Sequence, residues 1–442
     1  MANGQWDDLL PEMSFDNLYL ERYASKKKLI GKAPGNQLGL CVIIPSFNEP
    51  DLFQTLQSLA SCDSPDTEVE IIVVINHSHN ADRDIVYSSI RTFNETRQWA
   101  HTFSTKEISY HIVYVPNMNP KHAGVGLARK IGMDEAVRRL ESVGNSNGVI
   151  VCLDADSLVD KNYLIAIWEH FINNPNVPGC SIYFEHPHSG NLDKTIYEGI
   201  VAYELHLRCY VNGLRYAKSP HAFHTIGSSM AVKSIVYQKQ GGMNKRKAGE
   251  DFYFLQKVMK VGGFNDLTKT KVIPSPRSSN RVPFGTGRAI SDWLEKHSDI
   301  NMTYDPQVYV ELKSLFDSID SILESFYQPD AVDKKQYGEA MVGFLIQNQF
   351  KSVIENVLMN TSSLVKAKEK FNSWFDGFRI MKFAHYARDN FYPNVSVNVA
   401  AQWCLSNFYG QGIKQSSTKT LLKTIRNHDR RYDYRKVLEE GA

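Results

Sequence analysis

The sequence predicts an α/β protein in which a mostly parallel sheet is flanked by helices and followed by a helical C-terminal domain. From about residue 38, short β-branched apolar runs alternate with segments of helical spacing. The runs are apolar throughout, as in strands that helices cover on both faces. After about residue 290 the patterns are mainly helical. Together these observations indicate a parallel-sheet domain and a second, helical one.

The individual elements follow in chain order. Strands are predicted at 40–45, 70–75, 110–116 and 149–153, and helices between them at 51–60, 84–100 and 126–140. Further helices are predicted at 195–217 and from 249, and then at 308–326, 337–359 and 371–391. We therefore divide the chain into an N-terminal extension (1–37), a sheet domain (38–290) and a helical C-terminal domain (291–442).

Composition places the chain among ordinary globular proteins. The formal net charge of the 442 residues is +2, which gives no global sign of nucleic-acid binding. No apolar run approaches the length of a membrane span, and the first residues lack the features of a secretory signal. The six cysteines are scattered without a C-x-x-C pair, which indicates buried thiols in a reducing compartment. We expect a cytoplasmic protein.

Two aspartates directly follow the fourth predicted strand. In VIVCLDADSL (149–158) five apolar residues end at Asp154, and Asp156 comes two positions later. Ligands of parallel sheets bind at the carboxyl ends of strands, and two carboxylates suit a divalent cation that substrate phosphates complete. The alternative is that both residues cap the next helix. Their position after a buried strand favours the ligand role, whereas Asp82 and Asp84 follow a polar loop and are expected to begin a helix.

Four motifs in order carry a resemblance to a known family. They are VIIPSFNE (42–49), AGVGLARKIGMDEA (123–136), LDADS (153–157) and GEDFYF (249–254). Their order and spacing resemble those of family 2 glycosyltransferases, which have the GT-A fold, a Rossmann-like, mostly parallel sheet flanked by helices. The resemblance covers about residues 38–290 and does not extend clearly to the terminal segments.

The resemblance implies inverting transfer of a sugar from a nucleotide-sugar donor to the hydroxyl of a glycan, lipid-linked or small-molecule acceptor. It implies Mn²⁺ or Mg²⁺ as the cofactor, with Asp156 as a direct ligand and Asp154 either at the ribose or supporting the metal. A bound cation stabilises the charge that develops on the leaving diphosphate. Pro45, Phe47 and Glu49 are expected to line the nucleoside pocket.

The motif at 249–254 implies a general base. Asp251 is expected to take the proton of the attacking hydroxyl, and Glu250 is expected either to contact the acceptor or to be structural. The alternative is that both carboxylates only favour a helix N-terminus, an effect of roughly 0.3–1 kcal/mol each. A base must lie within hydrogen-bond reach of its proton, which the sequence does not test.

Basic and amide side chains complete the expected donor site. Arg281, in a loop that also holds Arg277 and Arg288, is expected to bind the diphosphate through its forked guanidinium, with a solvated linker as the alternative. Lys121 is expected near the donor phosphates, or else in a plain loop before a helix. Asn76 stands where many members of the family carry an aspartate pair that holds the base, which leaves the recognition of uracil open.

Two weaker predictions concern the acceptor and the membrane. His224, in the loop HAFHTIGSS (221–229), is expected on the acceptor side, although loop histidines are more often structural or solvated. The basic segment 419–436 is expected either to touch an anionic membrane at its inner face or to be a solvated helix face.

Two alternative functions stay open at this point. A catalytically inactive GT-A domain would serve as a binding or scaffold protein, which Asn76 favours and the intact Asp154, Asp156 and Asp251 oppose. A sugar-nucleotide nucleotidyltransferase would need a glycine-rich loop directly after the first strand, and SFNEPD (46–51) provides none.

Overall fold

The computed structural model describes residues 17–25, 27–279, 281, 285–324, 337–412 and 416–431. Within these ranges the chain forms an eight-stranded sheet covered by helices, and then a further group of helices. The strands of the sheet are β1 (Leu38–Ser46), β2 (Glu68–Ser78), β3 (Ile108–Met118), β4 (Val149–Cys152), β5 (Leu158–Val159), β6 (Gly179–Phe184), β7 (Met230–Lys233) and β8 (Asn265–Ile273). A short separate pair consists of β9 (Met302–Thr303) and β10 (Val395–Ser396).

Helices connect these strands and continue after the sheet. As far as α9 they are α1 (Leu18–Arg22), α2 (Leu52–Ala60), α3 (Arg83–Phe103), α4 (Val125–Ser142), α5 (Tyr163–Asn173), α6 (Lys194–Tyr216), α7 (Ser234–Lys239), α8 (Glu250–Met259) and α9 (Thr286–Leu294). The later ones are α10 (Gln307–Glu324), α11 (Glu339–Gln347), α12 (Phe350–Met359), α13 (Leu364–Trp374), α14 (Gly377–Asn390), α15 (Val397–Asn407) and α16 (Thr418–Arg431). The predicted boundary at residue 290 falls inside α9.

The sheet has the strand order β3-β2-β1-β4-β7-β6-β8-β5. The four strands that the sequence predicts, β1 to β4, pair in parallel. β7 runs antiparallel to both β4 and β6, and β5 runs antiparallel to β8, so the complete sheet is mixed. The predicted α/β architecture is confirmed, because helices cover the sheet and dominate the chain after it. Since β1, β3 and β4 run in the same direction, the loops that follow them meet at one edge of the sheet.

The central strand β1 is buried on both faces. Leu40, Val42 and Ile44 pack in a core that includes apolar residues of α2. Cys41 and Ile43 point into the opposite core, together with residues of α4. This two-sided burial is the structural reason for the uninterrupted apolar run in the sequence.

The helix α6 joins the sheet to the C-terminal helices. Its apolar residues Ile200 and Leu205 pack in one core with residues of α15 and α16. Its buried carboxylate, Glu204, accepts a hydrogen bond from Arg426 Nη2 of α16 at 2.6 Å. The last described helix is therefore packed against α6 by both apolar and ionic contacts.

Two of the predicted C-terminal helices are each interrupted once. The pattern at 337–359 forms α11 and α12, which are separated at Gln349, where φ is 53°. The pattern at 371–391 is interrupted at Asp376, whose carboxylate accepts hydrogen bonds from the amides of Phe378 and Arg379 and so caps α14. Apolar periodicity continued through both interruptions because the flanking helices bury residues in the same core.

Several other predictions concern burial and the chain ends. All six cysteines are free and buried, as predicted. No helix within the described ranges has the length and apolar character needed to cross a bilayer. The part of the N-terminal extension that the structure describes packs on α4, where Tyr19 Oη donates to Asp134 at 2.6 Å. Residues 1–16 of that extension, and residues 432–436 of the predicted basic segment, lie outside the described residues.

Candidate active site

The centre of the candidate site is an arginine that joins the two acidic motifs. Arg129 lies near the start of α4, and only 4% of its side chain is exposed. Its Nη2 lies 2.5 Å from Asp154 Oδ1, and its Nη1 binds Glu250. Burial disfavours the charged guanidinium, but Asp154 and Glu250 more than offset this and raise the pKa of Arg129. The site therefore contains a permanent positive charge.

Two glycines allow the surrounding chain to approach this arginine closely. A Cβ atom at Gly227 would lie 2.3 Å from Arg129 Nη1, and one at Gly126 would lie 2.2 Å from the carbonyl oxygen of Arg246. Any larger residue would collide at either position. The loop before β7 thus covers the guanidinium, and the start of α4 packs directly on the loop that leads into α8.

The two aspartates after β4 lie in a turn and have different partners. The strand ends at Cys152, and Ser157 N donates to the carbonyl oxygen of Asp154 at 3.1 Å. Asp154 binds Arg129, whereas Asp156 Oδ2 lies 3.2 Å from Arg277 Nη2. The side chains of Asp154 and Asp156 are 38% and 26% exposed, so a ligand can reach both.

The charge of Asp156 is unfavourable in this structure. Burial, together with the nearby negative charges of Asp154 and Glu49, raises its pKa to about 6, against the opposing effect of Arg277. A cation next to Asp156 would relieve this repulsion. A bound cation would therefore stabilise the ionised form of Asp156.

Two further arginines, Arg277 and Arg281, hold the loop after β8 against the end of β1. Glu49, whose side chain is 4% exposed, accepts a hydrogen bond from Arg281 Nη2 at 2.9 Å and also binds Arg277. Arg281 Nη1 donates to the carbonyl oxygen of Phe47 at 2.8 Å. The structure therefore brings Arg281 together with Phe47 and Glu49, which the sequence predicted from two separate segments. Arg288 instead pairs with Asp292 within α9, at 2.7 Å.

Glu250 and Asp251 form the first turn of α8. Glu250 is buried against Arg129, and burial raises its pKa. Asp251 is partly exposed, and its Oδ1 accepts a hydrogen bond from Phe252 N at 2.7 Å. Burial also raises the pKa of Asp251, against the opposing charge of Arg129. A carboxylate with a raised pKa next to an open surface has the properties of a general base.

The other side chains predicted for the donor site differ in their exposure to solvent. Pro45 is buried within β1, opposite Val74 of β2. Asn76 is buried at the end of β2, and its amide donates to the carbonyl oxygen of Ser46 at 3.2 Å, which ties β2 to β1. Lys121 is exposed in the loop before α4, at the same edge of the sheet. Of these three side chains, only Lys121 is open to solvent.

His224 lies in a small cavity of its own. Its ring stands edge-on to Phe184 at a centroid distance of 5.0 Å, and the cavity is also lined by Arg208 and Asp429. Burial and the nearby charge of Arg208 lower the pKa of His224 to about 3. The cavity is lined by residues of β6, α6, β8 and α16. None of the five site carboxylates described above lines it. A role of His224 toward the acceptor stays a prediction.

Arg129 is not among the site residues that the sequence predicts. The motif AGVGLARKIGMDEA contains it, but nothing in the spacing marks it as a partner of residues 25 and 121 positions away. One signal was available. Carboxylates that become buried where two acidic motifs meet need a partner of positive charge, and Arg129 lies near the start of the helix that follows β3 at that edge.

The donor set suits a divalent cation only if the substrate completes it. Within the described ranges, no group of three or more histidine, cysteine, aspartate or glutamate side chains is placed to hold a metal ion. Asp154 and Asp156 provide carboxylate oxygens, which Mg²⁺ and Mn²⁺ prefer, and Mg²⁺ sites commonly use one or two carboxylates together with substrate phosphates. The need for positive charge at Asp156 is consistent with such a site.

Comparisons with solved structures return a bacterial glycosyltransferase at low similarity. S. aureus TarS 1–349 in complex with UDP-GlcNAc is 12% identical, with a TM-score of 0.37, over 89% of this chain and 92% of that chain. The same fragment with UDP is 13% identical, with a TM-score of 0.37, over 76% and 89% of the two chains. S. aureus TarS in a longer form is 11% identical, with a TM-score of 0.36, over 88% and 54%. No curated protein matches the chain.

A family model gives the stronger result. The model described as glycosyl transferase family 2 matches residues 41–237, from β1 to α7. The match includes Arg129, Asp154 and Asp156, and it ends before Glu250. It agrees with the resemblance that the sequence motifs indicated. Residues 41–237 therefore form a glycosyltransferase domain that belongs to glycosyl transferase family 2.

Proposed function

We propose that this glycosyltransferase transfers a sugar from a nucleotide-sugar donor to an acceptor hydroxyl with inversion at the anomeric carbon. The observation that carries the proposal is the position of four carboxylates around Arg129 and Arg277, at the carboxyl edge of a family 2 domain. Asp154 and Asp156 belong to the donor side, and Asp251, with Glu250 behind it, belongs to the acceptor side.

On the acceptor side, Asp251 is the proposed general base. The acceptor oxygen attacks the anomeric carbon from the face opposite the diphosphate, and Asp251 takes the hydroxyl proton as the new C–O bond forms. The bond to the diphosphate breaks, and the nucleoside diphosphate leaves with the electron pair. The raised pKa of Asp251 makes it a stronger base than an ordinary aspartate. Arg129 and Glu250 hold the start of α8 in place.

On the donor side, Arg277 and Arg281 are the proposed diphosphate ligands. Guanidinium groups bind phosphates through two parallel hydrogen bonds. Glu49 forms ion pairs with both arginines, and Asp156 forms a second ion pair with Arg277. Donor phosphates would therefore replace these carboxylates as partners of the arginines. Mn²⁺ or Mg²⁺ held by Asp156 and Asp154 would supply Lewis-acid stabilisation of the leaving group. Lys121, Phe47, Pro45 and Asn76 complete the proposed donor site.

The proposed location is cytoplasmic, with the outer face of α16 as a site of peripheral membrane contact. Lys423, Arg430 and Arg431 are exposed on this helix, whereas Arg426 is buried in contacts with α6. Exposed basic residues are attracted to anionic headgroups by roughly 1 kcal/mol each. A lipid-linked acceptor would then be reached from the membrane surface, while a soluble glycan or a small molecule would not require this contact.

The test is a thermal-shift screen of UDP-, GDP-, dTDP- and CMP-sugars with and without Mn²⁺. A ligand that binds the folded state raises the apparent Tm. We expect one nucleotide class to give a Mn²⁺-dependent shift that is lost in Asp156→Asn. The matched control is Asp84→Asn, because Asp82-Arg83-Asp84 is a second D-x-D triplet that lies exposed at the start of α3. No shift with any donor would contradict the proposed activity and favour an inactive scaffold.

A further inference from the structure

We propose that the surface next to Asp251 binds carbohydrate acceptors that carry negative charge. The inference rests on the proposed transferase function and names the class of its acceptor. We call this area the basic-aromatic surface and define it by six residues: Lys245, Arg246, Lys247, Tyr253, Phe378 and Lys382.

The first part of this surface is a basic loop that folds back onto α8. Asn244 Nδ2 donates to the carbonyl oxygen of Glu250 at 3.2 Å, and Arg246 N donates to Asn244 Oδ1 at 3.0 Å. These bonds place the loop beside the helix turn that holds Asp251. The three consecutive basic side chains of the loop, Lys245, Arg246 and Lys247, are exposed.

The second part is a pair of aromatic rings that extends from α8 to α14. Arg246 Cζ lies 3.9 Å from the ring centroid of Tyr253, and this ring lies 5.4 Å from that of Phe378. Lys382 Nζ lies 5.0 Å from the centroid of Phe378. Tyr253 and Phe378 are partly exposed, and Lys382 is exposed. The surface thus begins with the loop beside the first turn of α8, continues along α8 at Tyr253 and extends onto a C-terminal helix, α14.

The cations of this surface have no carboxylate partner among the described residues. Lys260, at its border, is different, because its Nζ lies 2.9 Å from Asp376. Lys245, Arg246, Lys247 and Lys382 form no ion pair within the part of the chain that the structure describes. In a chain with a net charge of +2, four unneutralised cations beside one candidate base form a local region of positive potential.

This combination of groups selects one chemical class of ligand. The apolar C–H face of a sugar ring gains burial against an aromatic ring, and carboxylate or phosphate groups on the sugar gain ionic contacts with lysine and arginine. Because the lysines are exposed, the free-energy cost of desolvating an anion that binds them is small. An oligosaccharide that extends from this surface to the first turn of α8 would bring one of its hydroxyls to Asp251. An uncharged acceptor would use the rings but not the four cations.

The test measures binding of charged probes and their uncharged counterparts by calorimetry. The probes are tetragalacturonate against its methyl ester, and maltotetraose 6-phosphate against maltotetraose. We expect at least one charged probe to bind about tenfold more tightly than its counterpart, with an advantage that shrinks between about 20 and about 300 mM NaCl. The carboxylate and phosphate arms distinguish which anion the surface prefers.

The variants separate charge from ring stacking. Lys245→Glu together with Lys247→Glu should remove the preference for the charged probe, while Arg246 stays to hold the loop on Tyr253. Tyr253→Leu should weaken the charged and the uncharged probe by the same factor. The control is Lys32→Glu together with Lys106→Glu, because these exposed lysines precede β1 and β3 and so lie at the opposite edge of the sheet.

The outcomes distinguish this inference from the proposed function. Equal affinity for charged and uncharged probes, or an unchanged preference in the Lys245/Lys247 variant, overturns the inference even where a nucleotide-sugar raises the Tm. Tighter binding of a single-stranded oligonucleotide than of either charged sugar also overturns it. Absence of any donor-induced shift in the wild type contradicts the proposed function instead.

Discussion

Arg129 Nη2 lies 2.5 Å from Asp154 Oδ1, and the other terminal nitrogen of the same guanidinium binds Glu250. One buried side chain of α4 therefore connects the acidic turn after β4 with the acidic first turn of α8. Glu250 is the immediate neighbour of Asp251, so the donor and acceptor sides of the site share a single cation. A change of charge at Arg129 should therefore alter the electrostatic environment of the donor side and of the acceptor side.

Arg129→Met should shift the pH dependence of sugar transfer. Arg129 lowers the pKa of Asp251, so its removal should raise that pKa further. A general base loses activity as the pH falls through its pKa, and the acidic limb of kcat/KM should therefore move to higher pH. Arg129→Lys keeps the charge and should leave the limb close to that of the wild type. The measurement is a pH profile of kcat/KM for all three proteins.

The same substitution also tests how much the pair contributes to folding. Leaving Glu250 buried without its partner should cost about 3–5 kcal/mol of unfolding free energy. Arg91→Met is the control, because Arg91 is exposed on α3. Circular dichroism must first show that Arg129→Met is folded at the assay temperature. A folded Arg129→Met enzyme with an unmoved acidic limb would contradict the assigned coupling between Arg129 and Asp251.

Asp251→Asn should abolish transfer without abolishing donor binding. The amide cannot take the acceptor proton, so kcat should fall by roughly 10²–10⁴-fold. The thermal shift caused by the nucleotide-sugar should stay, because the donor contacts proposed above come from other loops. Asp84→Asn serves as the control for an exposed aspartate. Retention of most of the activity in Asp251→Asn would assign the base to another residue.

The sequence predicted the part of the fold that local patterns determine. The four parallel strands and the helices between them lie within a few residues of the predicted positions, since each strand needs two apolar faces and each helix needs one. The acidic pair was placed correctly at the carboxyl edge. The strand β4 ends at Cys152, one residue before its predicted end, and the pair occupies a turn.

The long-range partners could not be predicted from the sequence. Arg129 meets Glu250 across 121 positions, and Arg277 meets Glu49 across 228. Such pairs depend on which loops meet at the sheet edge, and a single sequence does not contain that information. The interruptions of the C-terminal helices were missed for a different reason. The apolar periodicity is the same on both sides of Gln349. The chain changes direction there because Gln349 has a positive φ, which the apolar pattern does not reveal.

Glu204→Gln should strongly destabilise the protein. Glu204 is fully buried in α6 and binds Arg208 of its own helix and Arg426 of α16. Neutralising it leaves the buried guanidinium of Arg426 without a carboxylate partner and Arg208 with Asp429 alone, which should cost about 3–5 kcal/mol in urea denaturation. The matched control lies on the same helix. Glu198 forms an exposed pair with Lys194 at 3.4 Å, and Glu198→Gln should cost no more than about 0.5 kcal/mol.

Equal effects of these two substitutions would show that α16 does not depend on the buried ion pairs. A large effect confined to Glu204→Gln would instead support an ionic attachment of the last described helix to α6. Limited proteolysis provides a second measurement, since cleavage in α16 should become faster in Glu204→Gln than in Glu198→Gln.

His224→Phe should make folding stability less sensitive to acid. Burial and Arg208 lower the pKa of His224 to about 3 in the folded protein, against about 6.5 for an unfolded histidine. Between these values the unfolded state binds the extra proton, so wild-type stability should fall as the pH decreases, by about 1.4 kcal/mol per pH unit for this group. Phenylalanine keeps the edge-on contact with Phe184 and cannot titrate.

Urea denaturation at pH 7.5 and pH 5.5 measures the effect. The difference in unfolding free energy between wild type and His224→Phe should change by about 1.4 kcal/mol between these two pH values, in favour of the variant at the lower pH. His206, whose pKa burial lowers to about 4, contributes equally to both proteins and cancels. His101→Phe, at an exposed position of α3, should show no such change. Parallel pH dependence in wild type and His224→Phe would contradict a lowered pKa of His224 in the fold. A change of the opposite sign, with wild type gaining stability at the lower pH, would mean that His224 is protonated in the fold with Asp429 as its counter-charge.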